Sequence, residues 1–311
     1  MKLTTAIAIA SVVACSSHNS GTVADAPVGS GHPVDAAIDA PRAIDAAPPD
    51  APSSISGSDF ACAGNTTPPT VPSTLAVTGT AGALNTNIVS LLTMPVTPYS
   101  GLVELCTAEP CTDASLLGSA TASASGAYSF TVTTGGAPVS AYVEIPAAGS
   151  GSAATLETLS YIGTPYVNDT VMPLDILAPQ AAINAVANAG GACTSGAGLG
   201  FIAYKAVDCA NTRITDSTNV HGTLTQGAAS VGDPPIDVYQ TIIAALSSAG
   251  YSQYDSLADP LQGIFIVCGV PAGATTLNVS YSGSGGNVDF RPVTVLSIGS
   301  AATQVTAVPG Y

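Results

Sequence analysis

From Leu75 onward the chain is written in short alternating runs broken by Gly and Pro, and this period of two constrains the fold more than any other feature. In Ala127-Tyr-Ser-Phe-Thr-Val-Thr133, Tyr128, Phe130 and Val132 fall on one face while Ala127, Ser129, Thr131 and Thr133 fall on the other. A sheet packed on one side gives this pattern, because successive side chains of a strand point to opposite faces. Leu75-Ala-Val-Thr-Gly-Thr80, Gly101-Leu-Val-Glu-Leu105 and Val139-Ser-Ala-Tyr-Val-Glu-Ile145 read the same way, and their spacing predicts an antiparallel sandwich.

Composition points in the same direction. Of 311 residues only 8% are charged, and there is no Trp. Surface helices need Lys, Glu and Arg on their outer faces, whereas Thr, Val, Ser and Gly suit strands and turns. The net charge is −15, and Arg42, Lys205, Arg213 and Arg291 are the only basic residues after Lys2. So sparse a positive charge excludes the electrostatic footprint of a nucleic-acid partner.

The order Gly79, Gly101-Leu-Val-Glu-Leu105 and Ser125-Gly126-Ala-Tyr-Ser-Phe130 resembles the carboxypeptidase regulatory-like domain, a transthyretin-like β-sandwich that overlaps in fold with starch-binding-like domains. The second half is similar: Phe201 to Ile214 resembles an opening strand, turn and next strand, and Gly263 to Gly273 an aromatic strand with its Val-Pro-Ala-Gly turn. Thr276-Leu-Asn-Val-Ser280 continues the alternation, and Val305 to Gly310 supplies a closing strand. The resemblance implies an all-β fold of two tandem antiparallel sandwiches, residues 73–165 and 198–311; the second is expected to fold alone because it carries its own strands, the aromatic core candidates Phe201, Phe265 and Phe290, and length enough for one core. It implies no peptidase, since the name belongs to an accessory domain.

Between the halves, in a connecting segment over 166–197, Leu174 to Ala189 is the best helix candidate, with Gly190-Gly191 as its stop and Pro179 as a kink or break. Val238 to Leu246 fits a helix through Tyr239, Ile242, Ile243 and Leu246, while its β-branched residues keep a strand open over 236–251. Gly196-Ala-Gly198-Leu-Gly200 reads as a linker.

The amino terminus carries an address. Lys2 precedes an apolar run, Leu3 to Val13, too short to span a bilayer, and Val12-Val13-Ala14-Cys15 resembles the bacterial lipobox. Residues 1–14 would be a signal peptide and Cys15 the lipidated residue, so that acyl chains hold the protein on a membrane. The alternative is an ordinary signal peptide cut a few residues later, since Ala8, Ala10 and Ala14 are also small. Residues 15–72 read as a disordered tether, dominated to about residue 58 by Ala, Asp, Pro, Ser and Gly.

With Cys15 set aside, Cys62, Cys106, Cys111, Cys193, Cys209 and Cys268 are disulfide candidates in an exported chain. A local argument exists for Cys106 with Cys111, which flank the turn-forming Thr-Ala-Glu-Pro. No catalytic, cofactor-binding or metal site is expected. His221 is the only His outside the tether and has no Gly-x-Ser-x-Gly or Ser-x-x-Lys companion. Glu104 with Glu109, and Asp255 with Asp259, are the carboxylate pairs a glycosidase would need, but acids on loops are ordinarily solvated. The expectation is a non-catalytic lipoprotein of a Gram-negative envelope, at the outer membrane, structural, adhesive or protein-binding. A carbohydrate-binding module is the rival, with Tyr251, Tyr254 or Tyr281 as stacking platforms. Envelope proteins or glycans are the partners this implies, and the oligomeric state is left open.

Overall fold

The computed structural model describes residues 59–310, apart from 66, 68, 86–95, 150–153, 164, 191–192, 195, 197, 249–260, 284–285 and 300. Cys15 and most of the tether therefore lie outside the described residues. The first half runs through β1 (Thr74–Leu84), β2 (Val96–Pro98), β3 (Leu102–Cys106), β4 (Leu116–Thr121) and β5 (Ala127–Thr133). It continues with β6 (Tyr142–Ile145), β7 (Glu157–Ile162), β8 (Thr170–Val171) and β9 (Asp175–Leu177). Helix α1 (Gln180–Gly190) leads to β10 (Leu199–Ala206), β11 (Val220–Gln226), β12 (Ala229–Ser230) and β13 (Ile236–Asp237). After α2 (Val238–Ser248) come β14 (Ile264–Pro271), β15 (Gly273–Gly283), β16 (Gly286–Asp289), β17 (Val293–Ser297) and β18 (Ala301–Ala307). Neither helix is long and apolar enough to cross a membrane.

The fold is all-β, built from three sheets. A central sheet of eight strands has the order β13-β14-β10-β18-β7-β6-β3-β4. One five-stranded sheet joins β2, β1 and β5, with β8 and β9 along β1, and the other joins β12, β11, β15 and β16, with β17 on β15.

Strand register decides how these layers stack. One row across the central sheet reads Ile202, Thr303, Leu159, Glu144 and Glu104. Its Ile202 end enters a core with Leu224, Leu277 and Val279 of the β11/β15 sheet. The neighbouring row, Ala203, Gln304, Ser160, Val143 and Leu105, faces the other way. Val143 and Leu105 pack in a second core with Val77, Phe130 and Val132 of the β1/β5 sheet. The two outer sheets thus lie on opposite faces of one continuous sheet, offset along it. Helix α1 covers part of the β1/β5 face beyond that sheet, where Ile183 clusters with Phe201 and Ala302. The boundary expected at 166–197 separates two cores but falls within a shared sheet, because β7 pairs with β18 over six residues.

The sequence pattern predicts wholly antiparallel sheets, and the structure corrects this. β18 runs parallel to both β10 and β7, and β8 and β9 run parallel to β1. β8 and β18 each enter after the chain has crossed from another sheet, so no hairpin fixes their direction, and β9 follows β8 onto β1. The hairpin-linked strands keep the expected pattern: β5 alternates exposed and buried throughout, with Tyr128, Phe130 and Val132 inside. Its entry turn needs Gly126, whose φ is +83° and whose missing Cβ would stand 2.3 Å from the Ala81 carbonyl oxygen.

Three more expectations are corrected. The tether ends before residue 72: Phe60 is fully buried, 5.5 Å from the Tyr281 ring and edge-on to Phe290 at 6.2 Å. The first helix starts at Gln180, because Pro179 cannot sit inside a helix and its carbonyl instead accepts the Ala182 and Ile183 amides. Residues 175–177 become strand β9, held to β18 by the Gln304 side chain, whose amide nitrogen donates to the Ile176 carbonyl while its oxygen accepts the Ile176 amide at 3.2 Å. The ambiguous stretch after residue 236 is a two-residue strand and then α2, started by Asp237, whose Oδ1 accepts the Gln240 amide at 3.0 Å.

All six remaining cysteines are paired. Cys62–Cys209 clamps the Phe60 segment to the second core, Cys106–Cys111 closes the loop after β3, and Cys193–Cys268 ties the stretch after α1 to β14.

Candidate functional site

The offset of the outer sheets leaves part of the central sheet without a covering sheet, at the Glu104 end of the row described above. Glu104 stands on β3, Glu144 on β6 and Glu157 at the start of β7. Glu109 reaches the same face from the Cys106–Cys111 loop. The Tyr142 hydroxyl donates to Glu109 Oε2 at 3.1 Å and to Glu144 Oε2 at 3.4 Å. Carboxylate oxygens of Glu109, Glu144 and Glu157 come within 4.8 Å of one another. Beside them Tyr142 stacks on Tyr161, with ring centroids 5.0 Å apart and planes 24° apart. Tyr161 Oη accepts the Leu296 amide at 3.4 Å, which ties the patch to the second outer sheet.

Like charges in a half-buried patch hold protons more tightly. Glu144 is pushed up to about 7, first by burial and then by Glu157, Glu109 and Glu104, while the Tyr142 hydrogen bond acts in the opposite direction. Burial and Glu109 also raise Glu157, and burial ahead of Glu109 and Glu144 raises Tyr142. Tyr161 is pushed up to about 12, chiefly by burial. Such a group can share a proton, and its oxygens are donors of the kind hard cations prefer. Cys106 and Cys111, adjacent to Glu144, are oxidised and offer no thiolate.

The pair considered from sequence, Glu104 with Glu109, belongs to this patch, but Glu144 and Glu157 were missed. A usable signal was present in Tyr142-Val-Glu-Ile145: an acid inside a buried strand, on the same alternation as Glu104 in Leu-Val-Glu-Leu, marks a face that no sheet covers. His221 lies elsewhere, exposed on β11 opposite Ser280. Tyr281 is no sugar platform: it is 1% exposed, and its hydroxyl donates to Asp216 Oδ2 at 3.4 Å. It continues the period-two face of Leu277 and Val279 into the core, where Phe60 packs against its ring. Gly200 is not in a linker but inside β10, where a Cβ would stand 2.7 Å from Ser297 Oγ. Tyr251, Tyr254, Asp255 and Asp259 lie outside the described residues.

No protein-family model matches the chain, and no curated protein matches it. Among solved structures, it is similar to the minor pilin GBS52 of Streptococcus agalactiae at 11% identity, covering 75% of this chain and 95% of that one with a TM-score of 0.19. The shaft pilin SpaA of Lactobacillus rhamnosus GG matches at 8% identity over 78% of this chain and 99% of that one, with a TM-score of 0.21. The TIE protein of Bacillus anthracis matches at 9% identity over 75% of this chain, with a TM-score of 0.19, and there the match spans only 33% of the longer protein.

Proposed function

We propose that this chain is a non-catalytic, lipid-anchored protein of the cell envelope with a structural or adhesive role. The observation that carries the reading is the pairing of an export-and-lipidation signal ending at Cys15 with a head in which all six other cysteines are joined in three disulfides. Structural disulfides form outside the reducing cytoplasm, so the head is stapled for an oxidising compartment. Two sandwiches braced on one sheet make a stiff body, and the Asp-Ala-Pro tract before Asp59 supplies a spacer between that body and the bilayer. The patch of Glu104, Glu109, Glu144 and Glu157 gives the head an acidic face without a nucleophile and base pair.

Membrane fractionation of the wild type and Cys15→Ala, with labelled palmitate, tests the anchor. The wild type is expected to take up label and sediment with membranes, and the variant to appear in the soluble fraction. A variant that stays with membranes, together with an unlabelled wild type, refutes it.

A further inference from the structure

The central sheet ends in two unlike edges. At one end β13 is two residues long, is entered from Asp233-Pro234-Pro235 and closes on Asp237. Short length, proline and charge are the usual means by which an edge strand is kept from pairing with another chain. At the other end β4 has six residues, Leu116-Leu-Gly-Ser-Ala-Thr121, and none of these safeguards. No charged residue and no proline occurs between Asp113 and Pro138, a stretch that holds β4, the turn after it and β5. The one irregularity of β4, opposite Leu105 and Cys106, leaves the run from Gly118 to Thr121 regular.

The backbone of β4 has groups to offer. The Ala122 amide donates to the Gly101 carbonyl at 2.9 Å. Hydrogen-bonded and non-hydrogen-bonded pairs alternate along an antiparallel ladder, so Ala120 with Val103 and Gly118 with Leu105 are the bonded pairs that follow. The N–H and C=O groups of Ser119 and Thr121 therefore point away from β3. Both residues are exposed, and β3 is the one strand paired with β4 among the described residues.

A bland role exists, since water satisfies an exposed edge at little cost. That accounts for one bare edge but not for its contrast with β13 in the same sheet. Nor is β4 alone on its side of the first sandwich. β5 lies alongside with β1 as its one partner among the described residues, and its Ser129, Thr131 and Thr133 are exposed. Gly118 brings the two strands together, for a Cβ there would stand 3.4 Å from the Phe130 ring.

We propose that β4 is a self-association edge, on which a second copy of this chain pairs antiparallel about a twofold axis at Ser119 and continues the central sheet through both copies. Such an interface is isologous: Ser119 meets its own counterpart, Gly118 meets Ala120 and Leu117 meets Thr121. A charge near the axis would face its own copy, and the edge has none. Elsewhere two copies repel, because the chain carries a net charge of −15, so an uncharged side is where they approach at least cost. A foreign strand steered by charge would find nothing here to steer it. Main-chain hydrogen bonds through Ser119 and Thr121 supply the attraction, as in other strand additions.

Sedimentation equilibrium of the full chain, with amide hydrogen exchange followed over an about hundredfold range of concentration, tests the assignment. The expected result is a monomer–dimer equilibrium that added salt shifts toward dimer by screening the repulsion. In the unmodified protein the Ser119 and Thr121 amides should be protected only at high concentration, and the Ala120 amide at every concentration. Ser119→Pro removes an N–H that the β3 ladder does not use and should weaken the dimer by about tenfold or more, whereas Ser119→Ala keeps that N–H and should stay within about twofold of the wild type. A chain that is monomeric throughout, a dimer that a folded Ser119→Pro leaves intact, or equal losses in Ser119→Pro and Ser119→Ala overturns the site. Exchange at Ser119 and Thr121 that does not change with concentration overturns it as well, and protection at every dilution would mean that a segment of the same chain covers the edge.

Discussion

Replacing Glu144 by Gln should leave stability unchanged in acid and raise it above neutrality. Folded Glu144 keeps its proton to about 7, against an ordinary value of 4.5. Below about pH 4.5 both the folded and unfolded chains carry the proton, so the native state loses nothing there. As pH rises, the unfolded chain ionises first and folding must then take up a proton, so stability falls until the folded group also ionises near 7. At about 1.36 kcal/mol per pH unit, the whole interval amounts to about 3 kcal/mol. Water reaching a half-buried group screens most of this and leaves about 1 kcal/mol. Gln keeps an oxygen to accept the Tyr142 hydroxyl, which stands 3.4 Å from Glu144 Oε2, and removes the charge that faces Glu104, Glu109 and Glu157. For a chain of this size about 1 kcal/mol is a rise of about 2–4 °C in Tm. Scanning calorimetry of both proteins in EDTA, at pH 4 and pH 8, checks it: the variant should gain at pH 8 only. An equal gain at both pH values, or a loss at pH 8, would refute the electrostatic argument.

Phe60→Ala should destabilise the chain by about 3–5 kcal/mol in urea unfolding, the usual cost of emptying a buried aromatic site, whereas a tether residue would change nothing. Replacing Cys62 and Cys209 together by Ala should cost up to about 5 kcal/mol and replacing Cys106 and Cys111 about 2, because loop-closure entropy grows with the enclosed length; equal losses would contradict this ordering. The second sandwich, expressed as residues 198–311, is expected to give a β-type circular dichroism spectrum and a cooperative melt, at a lower Tm than the full chain because Phe60 and the β7 partner of β18 are missing. A melt without cooperativity would mean that the shared sheet makes the two halves one folding unit.

What could be read from the sequence follows from where burial is one-sided. Strand β5 was legible to the residue because one face meets a core and the other meets solvent, so Tyr128, Phe130 and Val132 keep a strict period. Phe60 was illegible for the opposite reason: a single aromatic after a polar tract has no period, and only the tertiary contact with Tyr281 and Phe290 reveals it. The parallel setting of β18 was equally hidden. Turn chemistry fixes direction between hairpin neighbours, whereas β18 is placed by a crossing from the β11/β15 sheet into a slot between β10 and β7.

The acidic patch and the cleft beside Lys205 have one structural origin. A single row of side chains passes from Ile202 to Glu104 without changing face, so it is apolar where the β11/β15 sheet lies over it and acidic where that sheet ends. On the reverse face the β1/β5 sheet stops short of β10, and the remaining space beside β9 becomes the cleft with Lys205 and Arg213. The four acids of the patch and the two cations beside β9 thus stand where the offset of the layers leaves part of the central sheet uncovered, while the row between them is apolar because a sheet lies over it.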